Sequence, residues 1–390
     1  MSRMPEKIRI AFDTWTLGSF ARNQGIYVYA RHLLTHFHQI AYENSIEVLP
    51  YVCAGAENDA SAFSSAPGFS PAPARLLQSS RIWRYGGACA TAWKRRPDIV
   101  FSPHVNCFYA GNRPPAVITI HDLIPLKVPL QSKRVMQTLR FLSWSAAKFS
   151  RAIITDSEHS KKDLMETYGV PESKVSVVFL GFDKEIFNSG PPGPEQQKEL
   201  LGRLEVDKPY ILHHGAIQPR KNLKRLIEAW RLVLSRNRNL DVDLVLAGPL
   251  GLDNEEIVAA AQARESRGRV VLTGPLSDAD LGILVKGATL EVIPSLYEGF
   301  SLPMVEAMAC GTPTVVANAS CLPEISGGVL RYFDPYSQEE MAACIEEVLE
   351  NEELRRELAE NGQKRAARFD WRICAEQTLG VLKRVAESES

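Results

Sequence analysis

Compact apolar runs alternate with amphipathic stretches along most of the chain. Ile8–Asp13 (IRIAFD), Ile46–Cys53, Asp98–Pro103, Ala116–Asp122 (AVITIHD), Ala152–Ser157 and Val175–Asp183 (VSVVFLGFD) are the apolar runs of the first half. Runs of this length without polar alternation predict strands buried on both faces of a parallel sheet. After the first run, Ile26, Tyr29, Leu33, Leu34 and Phe37 recur at helical spacing, which predicts a helix. The rhythm restarts with Tyr210–Gly215 (YILHHG) and continues through Asp243–Gly248, Val270–Gly274, Leu290–Pro294 and Thr314–Ala317, each followed by helical sequence. From Gln338 onward the chain is helical, ending in WRICAEQTLGVLKRVA. Two series of strand and helix predict an α/β protein with two parallel sheets. Between the series, NSGPPGPEQQ (Asn188–Gln197) carries three prolines and two glycines and breaks all periodicity. It reads as a linker, dividing the chain into domains at 1–190 and 191–370.

Three stretches of the first half stand apart. Residues 54–80 are rich in Ala, Ser, Pro and Gly and read as a mobile loop. Arg81–Arg96 mixes basic and aromatic residues, as a helix with a wetted basic face does. Gln131–Arg151 has an apolar series at Val135, Leu139, Leu142, Ala146 and Phe149, with five basic residues and no acidic one. A basic amphipathic helix rests well on anionic lipid headgroups, and an ordinary core-facing helix with a solvated basic side has the same pattern.

Composition narrows the class. At 390 residues the chain is too long for one ordinary core and suits two domains. No apolar run approaches 18 residues, and MSRMPEKIRIAF lacks a signal-peptide core, so the expected location is cytoplasmic. Seven cysteines without C-x-x-C spacing argue for reduced thiols rather than disulfides or zinc. The net charge of −1 hides an asymmetry: residues 1–195 hold 22 Lys+Arg against 16 Asp+Glu, and residues 196–390 hold 23 against 30. A basic front half and an acidic back half suggest different partners, neither of them nucleic acid.

The chemistry concentrates in Thr289–Thr314, TLEVIPSLYEGFSLPMVEAMACGTPT. A short strand, a Gly-containing turn and a helix starting near Pro303 are predicted, because proline is tolerated in the first helical turn. Glu298 and Glu306 bracket the turn, at the carboxyl end of a strand where open α/β sheets bind ligands. The helix start attracts an anion and Gly299 allows close approach. A ligand carrying both phosphate and hydroxyls would use both features. An early glutamate that only complements the helix dipole is the plainer reading of Glu306. Arg220 and Lys221 follow another strand and form a cationic pair suited to a diphosphate leaving group, although surface cations are common. His121 stands at the end of AVITIHD, and Gly25 just before the first helix, where a phosphate site and a simple turn are both readable. Asp241-Val242-Asp243 sits at the entrance of a strand rather than its exit, and no other acidic cluster has metal-binding spacing, so no metal cofactor is expected.

The run EGFSLPMVEAMACGTPTVVAN resembles the E-x7-E signature of the retaining, GT-B-fold glycosyltransferases of family GT4. With HHGAIQPRKNLKRLIEAW and LPEISGG, it is most similar to the mannosyltransferase-like branch of bacterial surface-polysaccharide synthesis, from about Ile8 to about Leu382. The resemblance implies two Rossmann-like domains facing across a cleft, with residues 371–390 crossing back to the first. It implies a nucleotide sugar, GDP-mannose first and UDP-sugars next, held mainly by the second domain. A saccharide or lipid-linked acceptor would be held by the first, where the 54–80 insertion tends to face the acceptor. By the same resemblance, Glu306 binds the ribose, Glu298 the sugar, Lys221 the diphosphate, and main-chain groups of Phe300, Ser301 and Leu302 line the sugar. Gly25 approaches the diphosphate, where many relatives have two glycines. His121 contacts the transferred sugar, as a neutral imidazole. The family's usual arginine after the strand glycine is Ala216 here, so Arg220 is the candidate substitute. An epimerase or phosphorylase on this architecture, or an idle binding subunit, is the other class of reading.

Overall fold

The structure, a computed structural model, describes residues 7–17, 25–43, 46–52, 72–73, 96–105, 114–128, 133–263 and 267–388. The expected 54–80 loop and the 81–96 helix therefore lie almost wholly outside the described residues, as do Cys53, Cys89 and Cys107. The chain forms two compact units, Met1–Gly181 with Asp370–Ser390, and Phe182–Phe369.

The first unit holds a parallel sheet in the order β3-β2-β1-β4-β5-β6-β7. Its strands are β1 (Ile8–Asp13), β2 (Ile46–Val52), β3 (Ala72–Pro73), β4 (Ile99–Ser102), β5 (Ala116–Thr119), β6 (Ala152–Thr155) and β7 (Val175–Val177). The apolar run Val175–Asp183 narrows to three residues, because among the described residues β7 is an edge strand paired with β6 alone, which ends at Thr155 opposite Val177. Helix α1 (Gly25–Glu43) buries Tyr29, Leu33, Leu34 and Phe37, and Phe37 meets the rings of Phe12 and Phe101. Helix α2 (Lys133–Phe149) packs Leu142, Ala146 and Ala147 into the core. Helix α3 (Glu158–Tyr168) starts at Ser157, whose side chain accepts from the Ser160 N–H, and stops at Gly169 in the left-handed conformation.

The second unit holds a parallel sheet in the order β10-β9-β8-β11-β12-β13. These strands are β8 (Tyr210–His214), β9 (Asp243–Ala247), β10 (Val270–Gly274), β11 (Leu290–Ile293), β12 (Thr314–Ala317) and β13 (Arg331–Phe333). The Asn188–Gln197 segment is part of this unit rather than a linker. Helix α4 begins at Pro194 and runs to Arg203, since proline fits a first helical turn. Upstream, Ile186 rests against Gly282, and Asn188 Oδ1 accepts from Lys286 Nζ at 3.1 Å. These contacts put the boundary between units at Gly181–Phe182. Helix α5 (Leu223–Arg236) buries Leu226, Ile227, Trp230 and Val233 and packs on helix α7 (Gln338–Glu350). Helix α6 (Leu302–Cys310) follows β11, starting one residue before Pro303. The terminal helix α8 (Trp371–Ser388) packs on α1 in the first unit, where Trp371 stacks on His32 with ring centroids 4.8 Å apart.

Candidate active site

In the second sheet the strand order reverses at β8, which has β9 on one side and β11 on the other. Helices that follow β8 and β11 run to opposite sides of such a point, and a crevice opens outside the carboxyl ends of the two strands. The loop after β8 carries Gly215, Arg220 and Lys221, and the loop after β11 carries Glu298 and Gly299. Leu296 N–H donates to the Arg220 carbonyl at 2.9 Å and joins the two loops, while Glu298 N–H to Ser320 Oγ at 2.9 Å and Gly215 N–H to the Ala247 carbonyl at 2.8 Å anchor each to a neighbouring element. Gly215 has φ +130° and Gly248 has φ +140°, and a Cβ on Gly248 would stand 2.2 Å from the Gly215 carbonyl oxygen. Only glycine permits that approach of the two strand ends.

Arg220, Lys221 and Glu298 meet directly. Glu298 Oε2 accepts from Arg220 Nη1 at 2.8 Å, and Glu298 Oε1 pairs with Lys221 Nζ at 2.6 Å. Burial alone would push the Glu298 carboxyl upward, but the two cations win and hold it at about 2. Lys221 lies below the usual lysine range because it is buried and faces Arg220. A Cβ on Gly215 would lie 3.7 Å from Lys221 Nζ and 3.7 Å from Pro303 Cγ, so the lysine head and the start of α6 both border Gly215. Ser301, the residue before that helix, has φ +76° and caps nothing with its side chain. A non-glycine residue there is strained, and the first-turn N–H groups of a helix have no intrahelical partners. Phe300 turns its ring inward, edge-on to Phe369 at 5.4 Å, so only its main chain is available to a ligand.

Glu306, on the second turn of α6, has a partner that sequence reasoning missed. Its Oε2 lies 3.0 Å from His214 Nε2, and His214 Nδ1 lies 3.2 Å from Glu291 Oε1. Burial works against charge on His214, yet the two carboxylates raise it to about 9, so the ring is an imidazolium. Its neighbour His213 is the opposite. Burial and the Lys221 charge lower it to about 3, and Nδ1 faces the Val292 carbonyl at 2.9 Å. His213, His214 and Glu291 interrupt strands that are buried along their whole length. Polar residues inside a doubly covered strand contradict the local apolar rule, and that contradiction is the signal that would have found them.

In the first unit, His121 stands just beyond β5. Its Nδ1 lies 2.7 Å from Asp156 Oδ2 and its Nε2 lies 2.9 Å from the Pro103 carbonyl. Both nitrogens face acceptors, an arrangement that favours a proton on each. Burial opposes that charge, and the Asp156 carboxylate outweighs it and raises the ring above its ordinary value. The contacts thus favour the protonated ring over the neutral imidazole expected at this position, and the ring is oriented by a residue 35 positions away. Asp122 serves a different purpose, accepting from the Ile124 N–H at 2.9 Å. Gly25 is the exposed first residue of α1, and one turn on, Tyr29 lays its ring against that of His121, with centroids 4.8 Å apart. Asp241 pairs with Lys208 at 2.8 Å and Asp243 accepts from the Arg269 N–H at 2.8 Å, both at the start of β9.

Residues 25–186 match the family described as Glycosyltransferase Family 4, and residues 197–365 match Glycosyl transferases group 1. The chain is 28% identical to O-antigen chain mannosyltransferase B of Escherichia coli, over 75% of this chain and 76% of that protein. It is 29% identical to the serotype-specific mannosyltransferase WbdA of Escherichia coli over 75% of this chain, which spans 37% of that much longer protein. The structure superposes on that of Anabaena HepE in complex with UDP and glucose with a TM-score of 0.71, at 19% identity, covering 97% of this chain and 100% of that one. Two parallel-sheet units, a strand-turn-helix bearing Glu298 and Glu306, and matches that together span both units lead to one conclusion: the chain belongs to the GT4, group 1 glycosyltransferases and has the GT-B fold.

Proposed function

We propose that this glycosyltransferase moves mannose from GDP-mannose to a saccharide or lipid-linked acceptor in polysaccharide synthesis, with retention of configuration and without a divalent ion. The mannosyltransferases among its relatives support the sugar. The observation that carries the chemistry is the buried cluster of Arg220, Lys221 and Glu298 beside the start of α6. Two fixed cations there meet the charge that grows on a diphosphate as the sugar bond breaks, which is the work a metal does in other transferases. Once the diphosphate draws those cations, Glu298 becomes an acceptor for sugar hydroxyls. Glu306 accepts from the ribose diol, Gly25 admits the diphosphate to the main chain, and the main chain from Phe300 to Leu302 lines the sugar. His121 keeps its assignment to a hydroxyl of the transferred sugar.

Glu298 is assigned to the sugar's hydroxyls rather than to its reacting carbon, and no other carboxylate among the described residues takes that place, so a covalent intermediate is not the favoured route. Attack from the face that the leaving group vacates, with the departing phosphate taking the acceptor's proton, fits this site better. The test is transfer from GDP-mannose compared with UDP- and dTDP-sugars, with and without chelator, and with the product anomer read by NMR. Activity lost to chelator and restored by manganese would overturn the metal-free mechanism. Epimerised donor without transfer would point to the epimerase reading.

We also propose a peripheral seat at an anionic membrane surface. The solvent face of α2 carries the exposed rings of Phe141 and Trp144, 5.9 Å apart, among exposed Arg140, Lys148 and Arg151. Aromatic rings on a basic face suit the headgroup boundary. Among the described residues no helix is long and apolar enough to cross a membrane.

A further inference from the structure

We infer that His214 and Glu291 form a positioning device for Glu306, presenting one fixed carboxylate oxygen to the ribose. The inference rests on the reading of Glu306 as the ribose acceptor. His214 ends β8 and Glu291 lies in the adjacent strand β11. Glu291 is fully buried, and its Oε1 accepts from both the backbone N–H and the Nδ1–H of His214, each at 3.2 Å. The ring is thereby fixed at one end, and its other end points Nε2–H at Glu306 Oε2 from 3.0 Å. The last torsion of a glutamate is broad, so a carboxylate without such a contact samples many orientations. A charge-assisted hydrogen bond from an anchored ring removes that freedom and leaves Glu306 Oε1 to face a ligand.

Charge explains why two acids are used. An imidazolium beside Glu306 alone would cancel its charge and weaken it as an acceptor. Glu291 holds the other end of the ring, so Glu306 is not its sole counter-charge. Burying such a group in the strand interior is costly. A histidine in a doubly covered strand that served only to fill space would be replaceable by an apolar side chain with a gain in stability.

The experiment is calorimetric binding of GDP, UDP and their 2′-deoxy and 3′-deoxy forms, using the base that the full-length wild-type protein binds, with inorganic pyrophosphate as reference. Wild type should prefer the ribonucleotide by on the order of 10-fold or more, as for a hydrogen bond to a charged group. In Glu306→Gln that preference should collapse. His214→Gln, His214→Leu and, in part, Glu291→Gln should lower it as well, while pyrophosphate affinity stays at the wild-type value. The double variant His214→Leu/Glu306→Gln should lose nothing further. Loss of the preference in Glu306→Gln but not in the folded His214 or Glu291 variants would overturn the positioning role alone. An undiminished preference in Glu306→Gln would instead overturn the ribose reading beneath it. A cooperative melt of each variant establishes folding, and the Gln variants serve if His214→Leu does not fold.

Discussion

Lys221 Nζ lies 2.6 Å from Glu298 Oε1, and each side chain is 6% exposed. The two are separated by 77 positions in the chain and meet because β8 and β11 are neighbours in the sheet. Arg220 closes the cluster from the other carboxylate oxygen. The acid therefore stands between the two cations.

Removing that acid should expose the cost of burying cations. Glu298→Ala leaves Lys221 and Arg220 without their counter-charge, and breaking a buried pair in this way costs roughly 3–5 kcal/mol. Inorganic pyrophosphate should restore part of the loss, so its thermal upshift should be larger in the variant than in wild type. Equal upshifts in melts with and without pyrophosphate would show that the cations do not face the anion site.

Lys221→Ala should act on the chemical step. Loss of one preorganised charge at a developing anion lowers turnover by about 100- to 1,000-fold. Steady-state transfer kinetics check this, with the fall expected in kcat. A variant that transfers at the wild-type rate would remove Lys221 from the mechanism.

The adjacent histidines should give stability opposite pH dependences. His214 is raised from 6.5 to about 9, so its contribution is complete below pH 6.5 and is lost as pH rises through 9. His213 is lowered from 6.5 to about 3 and stays neutral in the fold, so stability present above pH 6.5 is lost as pH falls toward 3. Glu298, lowered from 4.5 to about 2, adds a further loss as pH falls below the usual carboxylate value. Denaturant titrations at pH 4.5, 7 and 9.5 should show His214→Gln removing most of the alkaline slope and His213→Asn reducing the acid slope. Unchanged slopes in both variants would refute the charge assignment.

Asp156→Asn should favour the neutral ring at position 121. Burial is the largest influence and lowers the ring; the Asp156 carboxylate leads the upward pull, with Asp122 and the Pro103 carbonyl adding to it, and the burial remains when Asp156 is removed. Imidazole NMR should follow the His121 midpoint from above its ordinary value in wild type to below it in the variant. An unmoved midpoint would mean that some other group holds the proton.

Phe141→Ser/Trp144→Ser should weaken sedimentation with anionic phospholipid vesicles while leaving the transfer rate to a water-soluble acceptor unchanged. Binding to neutral vesicles should be weak for both proteins, because the basic residues of α2 carry the attraction. Equal sedimentation of both proteins would show that the α2 face does not meet the membrane.

Much of the second unit is legible residue by residue. The strand-turn-helix of Leu290–Cys310 follows from an apolar run and a proline suited to a helix start, and it places Glu298 in the loop and Glu306 on the helix. Asn188–Gln197 shows the opposite case. Its prolines and glycines are what a linker uses, but Pro194 opens a helix and Asn188 is tied to Lys286, contacts that composition does not encode. The Val175–Asp183 run likewise lost its outer residues to the short reach of β6.

By itself the sequence determined the α/β class, the two series of parallel strands, the positions of Arg220, Lys221 and Glu298 in loops after strands, and that of Glu306 on the helix that follows, because periodicity and turn chemistry are local properties of the chain. Only the tertiary structure decided which of these groups share a charge. The pairings of Glu298 with Lys221 and Arg220, of Glu306 and Glu291 with His214, and of Asp156 with His121 span from 35 to 92 positions. They depend on which strands lie side by side. Sheet order is set by the packing of crossover helices, and protonation follows from burial and from the neighbours that this packing delivers.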